Sequence, residues 1–342
     1  MTFSPCHAVA LPNKGFTLVE LLIATLLGIL LSIGMVTAYL DTKQSAVYQD
    51  QLARMQENGR LAQWLLSREV VMSGFFAGLP APQTVTPTSE VAECGVGKWV
   101  LSAALPLAHV DNHERGTAPV ATGAGVLDCL HGDQIKDDTD ILLVQRTAAQ
   151  PSLSQGSPAE RLGVSRVKSW YLKVQAGAPA GWELQAPAGL TEAAARYPEA
   201  NYWKGLSRIF YVRTFSSPDD KQADMPTLCV ETIAGNSMES RCLVEGIEDL
   251  QFEFGIDSNG DGVPDHYLEA PSQNQLYHAV TVRIHLLIRS VATIPGWVDG
   301  KTYLLGRKSL AAREDRYLRR VLSTTVLLRN RARHASLQGA RL

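Results

Sequence analysis

Between Leu21 and Leu40 the chain runs for 20 residues without a charge or a proline, LLIATLLGILLSIGMVTAYL. As a helix rising about 1.5 Å per residue, this run reaches about 30 Å, the thickness of a bilayer's hydrocarbon core. It is too long for the apolar region of a secretory signal. Lys14 precedes it, and Asp41 with Lys43 follows, a balance that favours the N-terminus inside and the body outside. One residue departs from the pattern. Glu20 lies in the first turns of the apolar segment, where a carboxylate costs about 2.5–3.5 kcal/mol to insert. It therefore needs either a partner within the membrane or a position at the interface.

Lys14–Ala24, KGFTLVELLIA, resembles the class III signal of type IV prepilins: a short leader ending in Gly, then Phe, then Glu as the fifth residue of the mature chain. The resemblance implies that prepilin peptidase cuts between Gly15 and Phe16, removing a leader of residues 1–15, and methylates the new amine on Phe16. The residue types suit that chemistry. Gly15 places no side chain beside the scissile bond, and cleavage leaves a positive amine within about one helical turn of Glu20. In a low-dielectric medium an opposite charge on a neighbouring subunit compensates a carboxylate far better than lipid does. The resemblance therefore implies that the amine of one subunit meets Glu20 of the next and sets the register of a helical assembly. The sequence departs from major pilins in having no Pro within the lipid-embedded helix, where Thr37 and Ala38 stand.

Charges return after Leu40, yet no Pro appears before Pro80. Tyr48, Leu52, Met55, Gly59, Ala62, Leu66 and Val70 recur at spacings of three and four, one face of an α-helix. Lys43, Asp50, Arg54, Glu57, Arg60, Arg68 and Glu69 lie between them and read as a solvated face. The pattern predicts one continuous helix over 16–73, transmembrane over about 18–40, with its second half packed on a globular head. Gly74, Pro80 and Pro82 end it. Gly59, about 1 kcal/mol worse than Ala in a helix, is where a break would fall.

The head spans 74–342. At 45% hydrophobic and 19% charged residues the chain is not globally disordered. Segments 140–147, 166–175, 207–215, 227–233, 243–256, 279–291 and 320–329 are rich in Val, Ile, Leu and aromatics. Val280, Val282, Ile284, Leu286 and Ile288 alternate with Thr281, Arg283 and His285, so His285 is expected on an exposed strand face. Stretches 80–89, 116–125, 148–163 and 176–199 read as loops. The fold class is α+β: a long N-terminal helix laid across an antiparallel sheet, as the pilin resemblance also implies. Glu245–Tyr267, EGIEDLQFEFGIDSNGDGVPDHY, and Tyr317–Arg331, YLRRVLSTTVLLRNR, are similar to later segments of PilW-type minor pilins.

Of five cysteines, Cys6 would leave with the leader, and Cys94, Cys129, Cys229 and Cys242 remain on the outer side, where disulfides persist. Four cysteines allow three connectivities. Cys229 and Cys242 are equidistant from Gly235–Asn236, so a hairpin turning there sets them opposite each other. Cys94 with Cys129 follows by elimination. Asp257, Asn259, Asp261, Val263 (by its carbonyl) and Asp265 place oxygen donors at alternate positions around Gly262, resembling the ligand half of an EF-hand, with Leu268 where a bidentate Glu would stand. That pattern suggests Ca²⁺; the bland reading is an Asx/Gly turn between strands.

No catalytic motif stands out: the eight His are scattered, and Gly123-Ala-Gly125 lacks the context of a dinucleotide loop. Net charge is −2, with eleven Lys/Arg against two acids in 301–342. No aromatic interleaving or DNA-binding motif joins that basic segment, which argues against nucleic acid. Arg319, Arg320, Arg329 and Arg331 bracket an apolar strand, with their heads free to meet acids of neighbours.

Together these features predict a non-enzymatic minor pilin needing no cofactor, made as a single-pass inner-membrane precursor with its head in the periplasm. The resemblance implies other minor pilins, the major pilin, prepilin peptidase and the inner-membrane assembly platform as partners. It also implies a role in initiating type IV pilus assembly and a final place near the pilus tip. The rivals are a large pseudopilin of a type II secretion system and a calcium-dependent tip adhesin on a pilin stalk.

Overall fold

The computed structural model of the chain describes residues 15–79, 85, 99–101, 103, 105–114, 120–122, 125–130, 132, 134–154, 168–217 and 224–330. One helix, α1, runs without interruption from Leu18 to Met72. Its lipid-length half has no proline to break it, and its hydroxyls turn back onto the helix itself. Thr25 Oγ1 donates to the Leu22 carbonyl at 3.0 Å, Ser32 Oγ to Gly28 at 2.8 Å and Thr37 Oγ1 to Gly34 at 2.9 Å. No polar group of these side chains is left for lipid to solvate. Gly74, at φ 76°, ends the helical run, and its N–H donates to the Gln145 carbonyl at 3.0 Å.

The chain divides into two compact units, one ending at Asp50 and the other beginning at Gln51. In the first unit every described residue from Gly15 to Leu40 is exposed. The second holds the remainder of α1 and all the strands. These are β1 (Leu107–His113), β2 (Val120–Thr122), β3 (Gly125–Leu127), β4 (Thr139–Thr147), β5 (Ser169–Gln175), β6 (Gly181–Gln185), β7 (Ala200–Arg213), β8 (Thr227–Ala234), β9 (Ser237–Glu245), β10 (Ile247–Ile256), β11 (His266–Leu268), β12 (Ala279–Arg289), β13 (Tyr303–Leu305), β14 (Lys308–Leu310) and β15 (Arg319–Leu327). Two short helices, α2 (Pro187–Arg196) and α3 (Gln273–Tyr277), complete it. The fold is α+β: a long apolar helix followed by antiparallel sheets.

A seven-stranded sheet runs β1-β4-β7-β5-β6, with β8 on β7 and β9 on β8; a four-stranded sheet runs β11-β10-β12-β15. The expected single strand over 243–256 is two strands in two sheets, because the chain turns at Gly246. Its φ is 78°, and a Cβ there would stand 2.6 Å from the Arg289 carbonyl oxygen. Glycine alone makes that passage without strain.

Met55, Gly59, Ala62, Leu66 and Val70 are buried, as their spacing predicts. Gly59 does not break the helix. A Cβ there would lie 2.6 Å from both Ile288 Cδ1 and Leu322 Cδ1, so the missing side chain brings α1 close onto β12 and β15. Glu69, expected on the solvated face, is buried instead. Its carboxylate accepts from Arg146 Nε and Nη2, both at 2.8 Å, and from Arg208, which ties the end of α1 to β4 and β7.

Along β12, Val282, Ile284 and Leu286 are fully buried, as the alternation predicts. The opposite face is not open. Leu287, on the His285 side, packs with Tyr303 and Leu305 of the β13–β14 hairpin. His285 is buried there, with Nδ1 2.8 Å from Ser323 Oγ and Nε2 3.2 Å from Glu253 Oε2. Arg319 is buried likewise, and its acids come from its own chain: Glu248, Asp299 at 2.9 Å and Asp315 at 2.6 Å.

Candidate functional site

Gly15, Phe16 and Thr17 precede α1 in non-helical backbone, so the Gly15–Phe16 bond lies outside the helix. Phe16 is 90% exposed, and a Cβ on Gly15 would meet nothing within 4 Å. A bond so placed can enter an enzyme's cleft without unwinding a helical turn first.

Glu20 is the third residue of α1 and Thr17 its N-cap. Glu20 Oε2 accepts from the Thr17 N–H at 2.9 Å and from Thr17 Oγ1 at 2.9 Å, while the Glu20 N–H donates to Thr17 Oγ1 at 3.3 Å. This is a capping box, two helix-start donors satisfied reciprocally. A carboxylate in the first turn is also favoured by the positive end of the helix dipole. Glu20 thus has an in-chain partner, and the helix start that carries it is fixed. The Thr-x-x-Glu spacing of Thr17 and Glu20 is legible in the sequence, although the reading above assigns Thr17 no role. Beyond Glu20, α1 is long and apolar enough to cross a membrane, and its apolar stretch is unburied.

In the head, the β8–β9 hairpin turns through Gly235 (φ 64°) and Asn236, with Ala234 opposite Ser237. That register pairs Cys229 with Cys242, and the two form a disulfide with Cα atoms 3.9 Å apart. Cys129 is also in a disulfide. Cys94 lies outside the described residues, as do the leader 1–14 and the basic residues from Arg331 onward.

The acidic turn Asp257–Asp265 links β10 to β11. Asp257 accepts from the Gly260 N–H at 2.6 Å and the Gly262 N–H at 2.8 Å, one on each oxygen. Asn259 accepts from the Asp261 N–H, Asp261 from the Val263 N–H and Asp265 from the Ser258 N–H. Burial works to raise the Asp257 carboxyl, but the Gly262 and Gly260 amides, with those of Asn259 and Asp261, hold it below the usual carboxylate range. Each Asp257 oxygen keeps a further lone pair beside its amide bond, so these bonds orient the carboxylate without occupying it fully.

The family model of type IV pilus-assembly protein W, PilW, matches residues 209–330. The chain carries a PilW-family segment. That segment takes in the end of β7, the disulfide hairpin and the whole four-stranded sheet. It covers both stretches quoted for their similarity to PilW-type pilins, up to Asn330. Among curated proteins nothing matches the chain. One solved structure, the type IV-like pilin TTHA1219 from Thermus thermophilus, aligns over 81% of this chain and 98% of its own, at 9% identity and a TM-score of 0.31. Likeness at that level carries no argument here. The PilW match and the apolar helix are compatible with a membrane-anchored, pilus-associated protein.

Proposed function

We propose that this chain is a minor pilin that takes part in initiating type IV pilus assembly and stays near the pilus tip. The observation that carries the reading is the start of α1. A single carboxylate, Glu20, stands at the head of an apolar, unburied, membrane-length helix, beside the non-helical Gly15–Phe16 bond with Phe16 exposed. Cleavage after Gly15 would set a methylated amine on Phe16 one turn from that carboxylate. A second copy or another pilin, packing its own apolar helix alongside, would then supply the opposite charge. The precursor is held in the inner membrane by α1, with its head in the periplasm. Prepilin peptidase and the assembly platform act on it there, and other minor pilins and the major pilin are its neighbours. The PilW segment favours a pilus role over a secretion pseudopilin, and this reading requires no ion in the Asp257–Asp265 turn.

The test is a Glu20→Ala strain scored for surface pili and for the mature N-terminus by mass spectrometry. Processed protein beginning with N-methylated Phe16, together with few or no pili, is expected. Normal piliation would remove Glu20 from assembly, and loss of protein secretion with pili intact would reassign the chain to a secretion system.

A further inference from the structure

The two sheets of the head meet at a polar seam made by β1, β4 and β10. His109 and Asp111 are two residues apart on β1 and so share a face. Asp140, on β4, lies beside them, since Val110 pairs with Ile141. Asp140 is fully buried and acts as the clasp. Its Oδ2 accepts the Phe252 N–H of β10 at 2.7 Å, its Oδ1 accepts the Asn112 N–H at 3.0 Å, and His109 Nε2 stands 3.0 Å from Oδ2. Phe252 and Phe254 hold the imidazole in place, with ring centroids 5.9 and 4.9 Å away.

One ligand atom each from His109, Asp111 and Asp140 lies within 4.8 Å of the others. A tetrahedral ion bound at about 2.0–2.2 Å needs donors about 3.4 Å apart. Asp111 is only partly buried, which leaves its side chain room to turn toward that spacing.

The charge at the seam also asks for a cation. Asp249 adds a third carboxylate, and against the three stand Lys308, 2.9 Å from Asp249, and Lys136, whose ammonium Asp249 also attracts.

We propose that His109, Asp111 and Asp140 form a Zn²⁺ site on the seven-stranded sheet, where β1 and β4 face β10, with water in the fourth position. One imidazole nitrogen and two carboxylate oxygens suit Zn²⁺ better than Ca²⁺, which takes six to eight oxygens. The surroundings are those of a supported site. The amides of Phe252 and Asn112 orient Asp140, Asn112 Nδ2 donates to Asp111 Oδ1 at 3.2 Å, and the two phenylalanines fix the ring. Binding places the ion between His109 Nε2 and Asp140, and any proton carried on Nε2 leaves to solvent.

The full chain, purified in detergent and stripped with EDTA, is titrated with ZnCl₂ by calorimetry, and with CaCl₂ in parallel. One Zn²⁺ per chain is expected, bound at least tenfold more tightly than Ca²⁺, with a raised melting temperature. Asp111→Asn is expected to weaken Zn²⁺ at least tenfold while melting in EDTA as the parent does. Asp261→Asn, in the separate acidic turn, is expected to leave Zn²⁺ affinity unchanged. His109→Gln is expected to weaken Zn²⁺ at least tenfold as well, and should it fail to fold, the Asp111 variant alone decides. Absence of stoichiometric Zn²⁺ binding, equal affinity in Asp111→Asn, or sulfur ligation by X-ray absorption would each overturn the site.

Discussion

Glu69 shows how much one side chain can decide at the residue scale. Two guanidinium groups close on it, and Arg146 is itself nearly inaccessible, with 4% of its side chain exposed. Removing one partner of a buried pair leaves the other charged without solvent, at a cost of about 3–5 kcal/mol. Glu69→Ala is therefore expected to destabilise the head by that amount in urea denaturation. Replacing Glu69 and Arg146 together with Met and Leu should recover most of the loss, because the only guanidinium then left without its acid is Arg208, whose side chain is 27% exposed. Asp315 gives a pH-dependent counterpart. Its hydrogen bonds from Arg319 hold its carboxyl below the ordinary range, with partial burial opposing and the Tyr317 N–H assisting. A depressed carboxyl contributes its stability fully above the unfolded value, near 3.9, and loses it as pH falls through the folded value. The melting-temperature gap between parent and Asp315→Asn should thus be constant from pH 7 to about 5 and fade below about pH 4.

Among the elements, α1 depends on a residue that its own propensity would discard. Gly59 weakens an isolated helix by about 1 kcal/mol. In the head it lets Ile288 and Leu322 occupy the space a side chain would take. Gly59→Leu is expected to cost about 1–3 kcal/mol by overpacking, despite a better helix residue, and thermal melts of the head will show it. The β8–β9 hairpin is the opposite case. Gly235–Asn236 is a two-residue turn with strand-like flanks, so register and disulfide both follow from local spacing. The β13–β14 hairpin, YLLGRKSL, carries no such flanks, yet it decides the environment of His285 by covering that side of β12.

For the whole molecule, the boundary at Asp50–Gln51 separates a unit none of whose described residues is buried from a head with its own core. A chain beginning at Gln51 is expected to be monodisperse without detergent and to unfold in one cooperative transition, as size-exclusion chromatography and calorimetry can establish. Aggregation or a broad melt would mean that the head needs the first unit to fold.

Sequence alone determined the features that rest on local period and spacing. These are the uncharged run at Leu21–Leu40, the three-and-four spacing to Val70, the alternation on β12 and the Cys229–Cys242 hairpin. Each is fixed by near neighbours, so one dimension suffices to read it. Tertiary structure decided what depends on distant partners. It divided 243–256 between two sheets at Gly246, buried Glu69 and Arg319 among charges from remote strands, and brought Asp140 to His109 across β4 and β1. The physical reason is that a charge or a glycine is read correctly only against the groups packed on it, and chain folding alone brings those groups together.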